Sequence, residues 1–81
     1  MKVKCKSNDG YHNLKIDNEY EVIELLPQVI TRHFTFPRYV TVKDDSGNKS
    51  TCHAYRFKTL EGIPLDEYIK NKVADINEME K

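Results

Sequence analysis

Long apolar runs are missing from this sequence. Nothing in it approaches the ~18 consecutive apolar residues of a membrane-spanning helix, so no such helix is expected. Glycine is scarce, with three residues in 81, and no glycine-rich loop of the kind that cradles phosphates is present. Net charge is absent too: thirteen basic and thirteen acidic side chains cancel, which removes any global field for nucleic acid or a membrane surface. There are two cysteines, Cys5 and Cys52, far apart in the chain. The opening Lys2-Val3-Lys4-Cys5-Lys6 is charged rather than apolar, so no secretory leader is expected and the cytoplasm is the expected compartment. There, two distant cysteines are expected to be reduced and buried rather than bridged.

What remains is a chain of one-domain size, able to bury roughly 60% of its unfolded surface in a single modest core. Its charge is unevenly placed. Residues Met1 to Lys58 carry ten Lys/Arg against seven Asp/Glu, and Thr59 to Lys81 carry three against six. A mildly basic body therefore precedes a mildly acidic tail, read either as ordinary solvated surface or as a partner-facing acidic helix.

The clearest local pattern is a β-hairpin. Tyr39-Val40-Thr41-Val42 is β-branched and aromatic, which suits a pleated, half-buried strand. Asp44, Asp45 and Ser46 can bond their side chains to nearby amides, and Gly47 can take the positive φ that closes a type I turn with a bulge. The returning arm has no Pro or Gly from Lys49 to Leu60, so uninterrupted pairing is expected, with Arg56 to Leu60 as either a short 3-10 turn or the last strand.

Earlier in the chain, Lys2 to Lys6 alternates strictly and predicts a half-buried strand with Val3 and Cys5 inward, its outer lysines discouraging edge-to-edge pairing. Ser7-Asn8-Asp9-Gly10 predicts a turn, Leu14 and Ile16 are expected to anchor the next stretch inward, and Asp17-Asn18 predicts a second turn. Glu19 to Leu26 begins as an alternating strand with Tyr20 and Val22 on one face; the rival helix would be cut short by Pro27. Val29 to Arg38 connects to the hairpin, with β-type residues that could extend the strands. Beyond Gly62 and Pro64 the period changes: Leu65, Ile69, Val73, Ile76 and Met79 predict one face of a helix from Leu65 to Met79, about 22 Å long. Asp66 and Glu67 in its first turn suit the positive end of the helix dipole. The expected architecture is mainly β, a small five-stranded barrel over residues 1–62 followed by a C-terminal amphipathic helix over residues 63–81, either part of the same domain or appended to it.

Four motifs recur together in a family. They are Lys4-Cys5; the Leu-x-Ile-x-x-x-Tyr-x-Val run from Leu14 to Val22; the Val-x-Asp-Asp-Ser-Gly turn from Val42 to Gly47; and Tyr55-Arg56-Phe57. In that order they resemble small SH3-like barrel proteins encoded by bacteriophages and other mobile elements of Gram-positive bacteria, over about residues 1–60. The resemblance implies five strands, with Gly10 to Asn18 as the first long loop, the stretch after Leu26 as the second and the hairpin turn as the distal one. It also implies a non-enzymatic role, binding one host protein and inhibiting or redirecting it in the host cytoplasm. Two features depart from the pattern: the stretch from Pro27 to Arg38 is longer than usual, and the helical tail is additional.

Reactive constellations are weak. Cys5, His12, His33, Cys52 and His53 are metal-ligand types, but zinc ligands come in pairs two to four residues apart. Only Cys52 and His53 are close, and neighbours in a strand face opposite ways. The same alternation separates them as a thiolate–imidazole pair, and Asp44-Asp45 on a turn tip would both stay ionised in solvent. No metal, no cofactor and no catalysis are expected. Two binding classes remain. Arg32, His33, Phe34, Phe36, Arg38 and Tyr39 interleave basic and aromatic groups and could stack bases in a small nucleic-acid-binding barrel, although three net charges are few for phosphate binding. The leading expectation is protein binding through Arg32, His33, Phe34, Phe36 and Arg38, residue types that include those favoured at interface hot spots. The helix stripe of Ile69, Val73 and Ile76 either packs on the barrel or docks in a partner's groove or against its own copy.

Overall fold

The computed structural model describes residues 1–8 and 13–78. His12, the Asp9-Gly10 part of the first turn, and Met79 lie outside the described residues. Strands β1 (Lys2–Cys5), β2 (Glu19–Leu26), β3 (Val29–Ile30), β4 (Thr35–Phe36), β5 (Tyr39–Lys43), β6 (Lys49–His53) and β7 (Phe57–Thr59) precede helix α1 (Leu65–Lys72) and a last short strand, β8 (Ile76–Asn77). A 3-10 turn, Ala54–Arg56, separates β6 from β7. The main sheet has five antiparallel strands in the order β6-β5-β2-β1-β7, and β4-β3-β8 form a second, three-stranded sheet. The fold is thus mainly β with one short helix. Among the described residues the end strands β6 and β7 are not paired with each other, so the sheet is not closed by hydrogen bonds.

β2 organises the main sheet. Its first residues pair with β1, Val3 opposite Tyr20, and its later ones with β5, Val22 opposite Val42 and Leu25 opposite Val40. Strict alternation from Tyr20 and Val22 would carry Glu24 into the core. A register shift between Val22 and Glu24 prevents this. One extra residue, Ile23, turns outward, Glu24 stays exposed and Leu25 faces the core.

The core gathers Val3 and Cys5 from β1, Leu14 from the first loop, Tyr20 from β2, Val40 and Val42 from β5, and Cys52, Ala54 and Phe57 from the returning arm, with Leu65 and Ile69 from the helix. Tyr20 meets Phe57 edge-on at 6.5 Å between ring centroids. Both cysteines are fully buried. Leu14 is a core residue as expected, but Ile16 is exposed, because the chain turns at Ile16-Asp17, where Asp17 takes φ 70° and Asn18 N–H donates to the Lys15 carbonyl.

Three other expectations need correction. β1 is no edge strand: it lies between β2 and β7, so its lysines guard no edge. The arm from Lys49 to Leu60 does not pair without a break. Ala54–Arg56 turns as a 3-10 helix, letting the chain leave β5 after His53 and reach β1 as β7. The helix ends at Lys72, eight residues and so about 12 Å from its start, where Val73 is already extended at φ −126° and ψ 122°. The reason is chemical. Continuing to Met79 would place Asp75 and Glu78 at the negative end of the helix dipole. Instead the Asp75 carboxylate reaches Arg38 and Ile76 enters a strand whose N–H donates to the Gln28 carbonyl at 2.9 Å. Leu65 and Ile69 pack in the main core with Val73 against its margin, so this part of the stripe is structure. None of the described helices is long and apolar enough to cross a membrane.

The two halves of the stripe should therefore respond differently to truncation. Ile69→Ala should cost about 2–4 kcal/mol, because it opens a cavity at a fully buried site. Ile76→Ala, at a 45% exposed position, should cost under about 1 kcal/mol. Urea denaturation of both variants checks this; equal costs would put the docking face elsewhere.

Candidate functional site

Pro27 ends β2, and the chain then runs out and back as the β3–β4 hairpin. Thr31 closes its tip. The Thr31 N–H and hydroxyl both donate to the Phe34 carbonyl at 2.8 Å, and the Phe34 N–H donates to the Thr31 hydroxyl at 3.0 Å. That local bonding fixes the tip without any buried apolar side chain, and the aromatic residues are left outward. Phe34 is 65% and Phe36 48% exposed. Their rings lie 5.9 Å apart and His33 stands edge-on to Phe34 at 6.3 Å, so three rings form one exposed cluster, with Arg32 exposed beside them in the chain.

Arg38 behaves differently from the other predicted site residues. Its Nη2 donates to both Asp75 carboxylate oxygens at 3.0 Å and to the Gln28 side-chain oxygen at 3.1 Å, and the guanidinium is mostly covered. It ties the C-terminal segment to the base of the β3–β4 hairpin rather than presenting charge to a partner. The basic–aromatic run is therefore split, with Arg32 and His33 on the outside and Arg38 neutralised by a carboxylate. Ile69 and Val73 are likewise not accessible contact residues, since the first is fully buried and the second packs against the core.

A second aromatic surface escaped the sequence reading as a site. Tyr39 on β5 lies directly across from His53 on β6, with centroids 4.8 Å apart, and Tyr55 in the 3-10 turn follows at 5.1 Å from His53. The Arg56 guanidinium carbon stands 5.4 Å over the Tyr55 ring. On the other side of Tyr39, Leu26 of β2 is its cross-strand partner. The row was countable in advance: a turn centred on Asp44–Asn48 that pairs Lys43 with Lys49 also pairs Tyr39 with His53, on the face opposite Val40 and Cys52.

Among the described residues, those weighed for chemistry do not converge. Cys52 points into the core while His53 stacks outside it. No group of three or more potential metal ligands occurs among the described residues. An open hollow of about 280 Å³ is lined by Met1, Lys2, Thr59, Leu60, Glu61 and Tyr68, away from both cysteines and His53. The turn carboxylates are not simply solvated. Asp44 is only 7% exposed and accepts from the Ser46 amide and hydroxyl (3.0 and 2.7 Å), the Asn48 amide (3.0 Å) and the Ser50 hydroxyl (2.7 Å). Asp45 accepts from the Tyr20 hydroxyl at 3.0 Å, which in turn accepts from the Lys15 amide at 2.6 Å. Burial pushes the Tyr20 phenol up, and the Asp45 carboxylate adds to this. The Asp44 bonds tie the hairpin turn together, and the Asp45–Tyr20–Lys15 chain fastens it to the first loop.

No family model, no curated protein and no solved structure matches the chain.

Asp44 sets a pH dependence. The Ser50 hydroxyl first, and then Ser46, hold its carboxyl below the usual carboxylate value. A depressed native pKa contributes stability that is complete above the unfolded value of about 3.9 and is lost as pH falls through the native value. The stability advantage over Asp44→Asn should accordingly be constant from about pH 5 upward and shrink steadily below about pH 4. Denaturation midpoints of the two chains across pH 2–7 would reveal it, and a pH-independent difference would remove Asp44 from this role.

Proposed function

We propose that this chain is a non-enzymatic accessory protein of the bacteriophage type, which binds one host protein and modulates it in the host cytoplasm. The observation that carries the reading is the ring cluster of Phe34, Phe36 and His33, displayed on a hairpin that contributes nothing to the core. Exposed aromatic area of this kind has a cost in water that a partner's surface removes. Arg32 beside the rings and the Tyr39–His53–Tyr55 row add residue types common at interface centres. We also propose that the bent five-stranded sheet is an SH3-like barrel. The sheet order, with a 3-10 turn before the last strand, a long first loop and a tight hairpin turn, supports that reading. The long second loop, given over here to β3 and β4, is then where this chain elaborates the barrel for recognition.

Phe34→Ala/Phe36→Ala is the direct test, because neither ring is buried and the sheet should survive. With circular dichroism unchanged, capture of a specific protein from Gram-positive bacterial lysate should fall about tenfold or more, as expected for loss of a hot spot. Equal capture by the native and doubly substituted chains would count against this surface. Capture abolished by nuclease treatment would instead favour a nucleic-acid ligand held by Arg32 and the same rings.

A further inference from the structure

The contacts that hold the C-terminal segment across β3 include several of a kind another chain can make. Asp75 gives both carboxylate oxygens to Arg38 at 3.0 Å, the Ile76 N–H donates to the Gln28 carbonyl at 2.9 Å, and β8 pairs in parallel with β3 over two residues, Val29 opposite Ile76 and Ile30 opposite Asn77. The side chains add little burial: Ile76 and Asn77 are both exposed. The segment leaves α1 through Val73, which is already extended, so it can swing away without unwinding the helix. With β8 lifted off, β3 would present an unpaired edge, which is a template for strand addition. Arg38 would stay in place beside that edge, because it also holds Gln28 at 3.1 Å.

We propose that the β3 edge and Arg38 together form a docking site for a short extended segment of a partner protein, one carrying a carboxylate directly before a residue of high β-propensity. Asp75-Ile76-Asn77 is then a built-in occupant with which the partner's segment competes. The chemistry of the occupant is read from the one now seated there. A guanidinium favours a carboxylate over neutral acceptors because the N–H···O bonding is charge-assisted, and here Nη2 faces both carboxylate oxygens. The backbone of β3 requires an extended chain, and the exposed position of Ile76 tolerates any β-former. A tethered competitor acts at an effective concentration in the millimolar range, so a weak or non-acidic segment is shut out. The site depends on the protein-binding reading for the existence of a partner, but it can be tested without one.

The probe is a labelled synthetic peptide with the sequence of Val73–Glu78. It is titrated against the native chain and two full-length variants that release the segment by different routes: Asp75→Arg by like charge against Arg38, and Ile76→Pro by removal of the N–H that bonds Gln28. Both variants should bind the peptide at least about tenfold more tightly than the native chain does, and a peptide with Lys in place of its Asp should not bind. The proposal fails if neither variant binds, if native and variant chains bind alike, or if the Lys peptide binds as well as the Asp peptide. It fails equally if both variants lose the β-sheet circular dichroism spectrum, since the segment would then be part of the fold and not a displaceable occupant. The peptide contains neither Phe34 nor Phe36 and needs no host protein, so failure here leaves the ring-cluster reading untouched, and the converse also holds.

Discussion

Glu24 has to be kept out of the core, and β2 achieves this by shifting register at Ile23. Everything downstream follows from that shift. Before it, Tyr20 and Val22 face inward; after it, Leu25 does, and Glu24 and Leu26 take the outer side with Thr41 and Tyr39 as their partners. A bulge also increases local twist. One strand can therefore serve β1 along its first part and β5 along its second, and the chain needs no separate strand to join the two halves of the sheet. Pairing β2 without the shift would bury a carboxylate and expose Leu25, a double penalty that a domain of this size could not absorb.

The same reasoning separates what was legible in the sequence from what was not. The hairpin of β5 and β6 could be read because turn chemistry and alternation agree there: Gly47 does adopt φ 84°, and the Asp44 carboxyl does bond the turn amides. β1 and the first half of β2 were visible for a similar reason, each with a clear two-residue period. The helix was misread at its far end because Val73 and Ile76 satisfy a helical spacing and a β-propensity equally well. Arg38, nearly forty residues away, decides between them by drawing Asp75 into an ion pair, and no local pattern records such a partner. Ile16 was misplaced for the opposite reason: alternation with Leu14 is broken by the turn at Asp17. Of the predicted site residues, Phe34, Phe36, His33 and Arg32 are exposed, whereas Arg38 and Ile69 are of interface type but occupied within the chain.

The charge asymmetry between body and tail has a partial structural answer in that ion pair. Arg38 belongs to the basic body and Asp75 to the acidic tail, and their meeting makes the offset a device for bringing the C-terminal segment back across β3. A mostly covered guanidinium that also holds Gln28 loses less conformational freedom on binding a carboxylate than a surface arginine does. The pair is therefore better placed to direct a chain than most surface salt bridges.

Stability is unevenly distributed as a result. Every residue buried in the core lies in the main sheet, its first loop, the 3-10 turn or α1, and none lies in β3, β4 or β8. The small sheet is held instead by the Thr31 bonds, the Arg38 ties and short backbone ladders, so it should open at lower free energy than the main sheet. It also carries the most exposed large apolar side chain among the described residues, Phe34, together with Phe36 and Ile76. A segment that is cheap to rearrange and rich in uncovered rings is suited to meeting another surface. The main sheet, with Tyr20, Asp45 and the Asp44 turn fastening its loops, supplies the rigid base beneath it.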